Sequence, residues 1–144
     1  MKLTLDNPAG VAAPYAARFA NVARLDLPGG ALLTLSGQVA VDDSGAVLAP
    51  GDAGAQAGRI FEIIGALLGA HGAGFADILH VRTYMLDMAD LPAYAAVRRQ
   101  VFPTDPPAST TVQVSGLFLP GLALEVEVTA AVPDGSGRRV RPAG

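Results

Sequence analysis

Residues 52–86 read DAGAQAGRIFEIIGALLGAHGAGFADILHVRTYML, and this stretch decides the fold class. Ile60, Ile63, Ile64, Leu67 and Leu68 recur at i, i+3, i+4, i+7 and i+8, the stripe of a helix that buries one side. The helix is expected to begin near Asp52 and to stop between Ala70 and Gly74, where two glycines flank Ala73. The period then changes. Residues 78–86 are long enough for a strand and include Val, Thr and Tyr. Alternation places His80, Arg82 and Tyr84 on one face and Leu79, Val81, Thr83 and Met85 on the other.

Working outward, Asp90 is expected to cap a second helix over residues 91–102, with Pro92 tolerated in its first turn and Pro103 ending it. Residues 110–114 and 124–129 then read as two strands. In the second of these, Leu124, Val126 and Val128 oppose Glu125, Glu127 and Thr129. Upstream, residues 15–22 read as a first strand and Pro28-Gly29-Gly30 as a turn into an apolar second strand over 31–36. The order β-β-α-β-α-β-β predicts an α+β domain: a single mixed sheet with two helices on one face. The other face would stay bare in a monomer, and it is where subunits are expected to meet.

Length and composition narrow the function classes. The chain has 144 residues, 51% apolar and 16% charged, which suits one folded domain over residues 1–132. Residues 133–144 are expected to form a disordered tail, being rich in Gly, Pro, Ser and Arg. Without that tail, which holds Arg138, Arg139, Arg141 and Asp134, the body keeps 7 basic and 12 acidic residues out of the 10 and 13 of the whole chain. An acidic body with 6% aromatic residues and no Trp argues against nucleic-acid binding. The longest apolar run, 63–70, is far short of the ~20 residues of a membrane helix, and residues 1–10 contain no apolar signal core, so a cytoplasmic location is expected.

The absence of cysteine removes disulfides, thiolate nucleophiles and Cys-bound metals. The single lysine, Lys2, leaves Schiff-base chemistry and phosphate-loop binding without their usual residue. His71 and His80 have no partner at metal-ligand spacing, so neither metal nor cofactor is expected. Ser36, Ser109 and Ser115 lack the turn motif of an activated nucleophile, and the glycines form no phosphate-binding fingerprint. Glu125 and Glu127 emerge on the same strand face about 7 Å apart. Such a pair suits acid–base work, and equally suits any strand with one wet face.

Several segments carry more specific information. They are Pro14-Tyr15, the run Leu35-Ser36-Gly37-Gln38-Val39, TYMLDMAD at 83–90, PPASTTVQV at 106–114, Leu119-Pro120-Gly121 and Glu125-Val126-Glu127-Val128. In this order, over residues 8–132, they resemble the reactive intermediate deaminase family, also called the Rid or YjgF family and often labelled L-PSP endoribonuclease. The resemblance implies a chorismate-mutase-like fold and a homotrimer, with sheets inside, helices outside and small-molecule sites in clefts between subunits. It also implies cofactor-free hydrolysis of enamines and imines to 2-keto acids and ammonia.

In those deaminases an arginine after Pro-Ala holds the substrate carboxylate. Here that position is Ser109, which marks an arginine-lacking member, and Arg82 is the first candidate to take over the role. The family glutamate that positions water matches Glu125, and the early cleft tyrosine matches Tyr15. Ser36, Gly37, Tyr84, Ser109 and Thr111 complete the expected ligand-binding set, with backbone amides near Ser109 and Thr111 polarising a carbonyl. Two family asparagines are replaced by Ala89 and Ala95. A charge-assisted hydrogen bond contributes ~1.5–3 kcal/mol, so losing a two-pronged one should weaken binding of a 2-imino acid at least tenfold. The expected function is binding of a small carbonyl, imine or amide compound between subunits, with Glu125 orienting water for its hydrolysis. A non-catalytic ligand-binding protein and a ribonuclease or translation inhibitor are the alternatives.

Overall fold

The computed structural model describes residues 1–135. Its longest element is α1 (Ala53–Ala70), and Asp52 starts it by accepting a hydrogen bond from the Ala55 amide at 2.9 Å. The predicted stripe, Ile60, Ile63, Ile64, Leu67 and Leu68, is buried. The helix ends as Gly72 turns to φ +75° and the Ala73 amide bonds back to the Leu68 carbonyl at 3.0 Å.

The chain then enters β4 (Ile78–Met85), crosses through α2 (Leu91–Val101) and returns as β5 (Ala108–Gln113), which runs parallel to β4. A parallel pair requires such a crossover. The strands β1 (Lys2–Asp6), β2 (Val22–Leu27), β3 (Gly30–Leu35) and β6 (Leu124–Pro133) complete a six-stranded sheet in the order β1-β2-β3-β6-β4-β5, and its other neighbour pairs are antiparallel. This is an α+β fold with two helices and one mixed sheet.

Both helices belong to the core on one side of the sheet, with Leu33, Leu35, Val81, Met85, Val126 and Val128. Phe61 of α1 stacks on Tyr94 of α2, with ring centroids 6.4 Å apart, and meets Phe102 edge-on at 5.9 Å. The Tyr94 hydroxyl finds the buried Thr83 hydroxyl, so the phenol enters the core without losing its partner. Gln56 is fully buried and also satisfied. Its Nε2 donates to the carbonyls of Leu48, Ala49 and Gly121, and its Oε1 accepts from the Ala123 amide. One side chain thereby ties α1 to the loops that lead into α1 and β6.

Four sequence expectations change. Residues 15–22 are not a strand: after Pro14 a short 3-10 turn, Tyr15–Ala17, puts Ala16 and Ala17 at φ +50° and +51°, and extended pairing begins only at Val22. An additional strand, β1, occupies the sheet edge, where His71 Nε2 lies 3.1 Å from Asp6 Oδ2 but out of line for a hydrogen bond. Asp90 does not cap α2. It sits in helical conformation at the end of the turn Met88–Asp90, which Asp87 caps by accepting from the Ala89 amide at 2.8 Å. Finally, the register slips between Ile78 and His80, so Ile78 is buried and Leu79 faces solvent. Pro133, assigned above to the tail, closes β6 opposite Gly30, and residues 136–144 of the expected tail lie outside the described residues.

Candidate functional site

Where β3 ends, the chain does not leave the sheet. Residues 36–38 run on beside β6, with the Gln38 amide donating to the Val126 carbonyl at 2.8 Å and the Val126 amide returning a bond to Gln38 at 3.0 Å. Buried Gln38 folds its Nε2 back onto the carbonyl and hydroxyl of Ser36, both at 3.0 Å. Buried Asn21 fixes the opposite wall: its amide donates to Asn7 Oδ1 at 2.8 Å and its Nδ2 to the Ala12 carbonyl at 3.3 Å. These bonds tether the loop that presents Tyr15.

Between the two walls lies an open groove of about 740 Å³, lined mainly by apolar side chains together with Tyr15, Ser36, Gly37 and Glu125. Phe19 and Phe118, which the sequence reading did not single out, also line it and remain well exposed. Gly37 has a specific reason to be glycine. A Cβ built there would lie 1.8 Å from Glu125 Oε1, so the carboxylate occupies the space that any side chain would need. Glu125 is half-buried, and its pKa is raised above the ordinary glutamate value, first by burial and then by the charge of Glu127. No Lys, Arg or His lines the groove among the described residues.

The remaining predicted residues lie elsewhere in the chain. Tyr84 stands opposite Glu125 in the β4–β6 register, but its hydroxyl donates to Glu127 Oε1 at 2.7 Å. That bond, followed by burial, raises the tyrosine pKa. Ser109 and Thr111 pair in register with Val81 and Thr83, which puts them on the helix-covered side, opposite to the face on which Glu125 emerges. Arg82 does not approach Ser109. It is half exposed on the bare face, 3.8 Å from Glu127 Oε1. The arginine that reaches Ser109 is Arg98 of α2, whose Nη1 donates to the serine Oγ at 2.5 Å. His80 faces Thr110 at 3.2 Å and His71 faces Asp6, so the histidines do not meet. Among the described residues no group of three or more His, Asp or Glu side chains has metal-binding geometry, and no helix is long and apolar enough to cross a membrane.

A single helix-backed mixed sheet, with one half-buried carboxylate set in an apolar groove beside a glycine, defines a small α+β protein. The family follows from direct comparison: residues 11–132 match the model of the Endoribonuclease L-PSP family, and the chain belongs to that family, the Rid or YjgF family. It is 35% identical over 88 residues to protein DfrA of Myxococcus xanthus, covering 61% of this chain and 67% of that one. It is 33% identical over 101 residues to 3-aminoacrylate deaminase RutC of Acinetobacter baylyi, covering 70% and 79%. Among solved structures, the Rv2704 protein of Mycobacterium tuberculosis, described as a member of the YjgF/YER057c/UK114 family, superposes with a TM-score of 0.74. That match is 27% identical and covers 91% of this chain and all 100% of that one.

Proposed function

We propose that this protein binds a small carbonyl, imine or amide compound in the Glu125 groove and hydrolyses the C=N or amide bond where the ligand carries one, acting as a homotrimer whose subunits meet on the bare sheet face. One observation carries the reading: the Glu125 carboxylate lies against Gly37, half-buried and with a raised proton affinity, in a groove lined by no Lys, Arg or His among the described residues. A carboxylate in that setting is a stronger base than one in water and is aimed by its backing. For an imine, water would add to the C=N carbon while Glu125 takes a proton from it. That proton passes to the nitrogen to give the carbinolamine, and Glu125 then carries the remaining hydroxyl proton to the nitrogen as the C–N bond breaks, so the carbonyl forms and ammonia leaves. The balance is one imine and one water consumed, one carbonyl compound and one ammonia produced. The name of the RutC relative, a deaminase, points the same way.

The trimer part of the proposal is supported by the bare face itself, which leaves Leu3, Leu5, Leu79 and Val112 exposed on one side of a sheet otherwise packed. Light scattering at micromolar concentration should return three times the chain mass, and a monomer mass would refute it. Turnover is tested with freshly generated imines of graded size and charge, comparing the native protein with Glu125→Gln. The expected result is activity that falls at least ~100-fold in the variant. Equal rates in both would remove Glu125 from the mechanism.

A second reading, ligand binding without turnover, is favoured by the same lack of a cation among the described residues of the groove, which offer the carboxylate of a 2-imino acid no partner. It predicts ligand-induced thermal stabilisation with no product. The ribonuclease reading draws support from the family's descriptive name alone. The acidic body and the separated histidines oppose it.

A further inference from the structure

We propose that the Glu125 groove selects ligands carrying an aromatic ring, with Phe19 and Phe118 as its specificity-determining residues; the inference rests on the reading of that groove as the binding site. The chain has five Phe, three Tyr and no Trp. Four of these eight rings, Phe61, Phe75, Tyr94 and Phe102, pack on one another, and the Tyr84 hydroxyl is bonded to Glu127. The remaining three are Tyr15, Phe19 and Phe118, which stay 73%, 47% and 60% exposed. All three line the same groove, although they come from separate loops, one before β2 and one before β6. Single exposed rings scattered over a surface need no explanation, whereas every exposed ring of a chain gathered at one groove marks a place built to be covered.

Both loops are pinned. In the first, the Ala17 amide donates to the Pro14 carbonyl at 3.0 Å and the Arg18 amide to the Tyr15 carbonyl at 3.1 Å, in a turn that holds Ala16 and Ala17 at φ +50° and +51°. Alanine disfavours that conformation, and the strain falls between Tyr15 and Phe19, the two rings the turn presents. The second loop is anchored three residues after Phe118, where the Gly121 carbonyl accepts from buried Gln56 at 2.8 Å and from the Gly51 amide at 2.9 Å. Rings carried on fixed backbone lose little freedom when a ligand arrives. The groove, about 740 Å³, falls in the range of sites that enclose drug-sized ligands, roughly 300–1,000 Å³. An imine of two or three carbons would leave these rings wet. An aromatic group beside the reacting carbon would take water off them and pack edge-on or offset against them, while Glu125 in the same groove meets the reacting end.

The test begins with ligands that carry no bond to hydrolyse. Phenylacetone, cyclohexylacetone and acetone are titrated separately into the 15N-labelled full chain, and backbone amide resonances are followed. The expected result is saturable binding centred on Tyr15, Phe19, Phe118 and Glu125, with phenylacetone at least tenfold tighter than acetone and tighter than cyclohexylacetone. Phe19→Ala and Phe118→Ala should each weaken phenylacetone several-fold and remove most of its advantage over acetone. Phe19→Leu and Phe118→Leu, which keep apolar bulk without a ring, should fall between, and they decide alone should the alanine variants fail to fold. Equal affinity for phenylacetone and cyclohexylacetone, or unaltered phenylacetone affinity in the variants, would overturn the inference. So would variants that lose the native oligomeric mass while each chain binds phenylacetone as before, since the rings would then serve the subunit contact. Turnover of the matching imines separates the two readings. A ring preference in binding with no turnover of any imine removes hydrolysis alone, whereas Glu125-dependent turnover at equal kcat/KM for the phenyl and methyl imines removes ring selection alone.

Discussion

The two faces of the sheet contrast most clearly along β6. Leu124, Val126, Val128 and Ala130 are 0–1% exposed beneath the helices, while Glu125, Glu127 and Thr129, interleaved with them, stay half-buried on the other side. On the covered face, polar groups are consumed by structure: Gln56 has a partner for every bond it can offer, and Thr83 and Tyr94 take each other. On the bare face, Glu127 accepts from Tyr84, but Glu125 is left against a glycine with its pKa raised. The difference teaches that chemistry is available where packing is left incomplete, one residue away from where it is complete.

The largest effect should come from breaking the covered face. Phe61 is 2% exposed and joins the rings of Phe75, Tyr94 and Phe102, so Phe61→Ala should cost about 3–5 kcal/mol of stability in denaturant unfolding. A loss below about 1 kcal/mol would mean that the helix layer is not what holds the sheet. Gly37→Ala attacks the other face. Its Cβ displaces a flexible side-chain end rather than backbone, so stability should change little, whereas Glu125 must swing away from its backing. Turnover should then drop about tenfold or more while the unfolding midpoint stays near the native one. A fully active Gly37→Ala variant would show that the position of Glu125 against residue 37 is irrelevant.

The same contrast explains what was legible in the sequence. The covered face obeys periodicity, so the α1 stripe and the alternation of β6 could be read from spacing alone, and the run from Ser36 to Gln38 with Glu125 was found through family resemblance. Boundaries were missed where local chemistry departs from periodicity. Ala16 and Ala17 adopt positive φ in a segment whose composition suggests a strand, and a register slip at Ile78/His80 turns Leu79 outward. Gln56 sits four residues before Ile60 on the apolar stripe, a placement that announces a buried amide but not its four partners. The pairing of Arg98 with Ser109 joins helix to strand across a crossover, and no linear spacing encodes it.

The smallest expected effect sharpens the comparison most. Because the folded state raises the Glu125 pKa, it binds that proton more tightly than the unfolded chain does, and stability must fall as pH rises from the ordinary glutamate value through the raised one. Above that window, ionised Glu125 is a net cost to the fold, and Glu125→Gln should be the more stable protein, by about 1 kcal/mol or less given its partial exposure to solvent. Below the ordinary value, both proteins carry a neutral side chain and the advantage should vanish. Glu127→Gln removes the second cause of the shift, so in that background the gain from Glu125→Gln should shrink and the window should narrow from its upper end. Unfolding free energies of the four proteins across pH 4–8 measure this directly. A Glu125→Gln gain that is flat with pH would mean that the carboxylate is not held at a cost, and that the groove contributes no special basicity to the chemistry proposed for it.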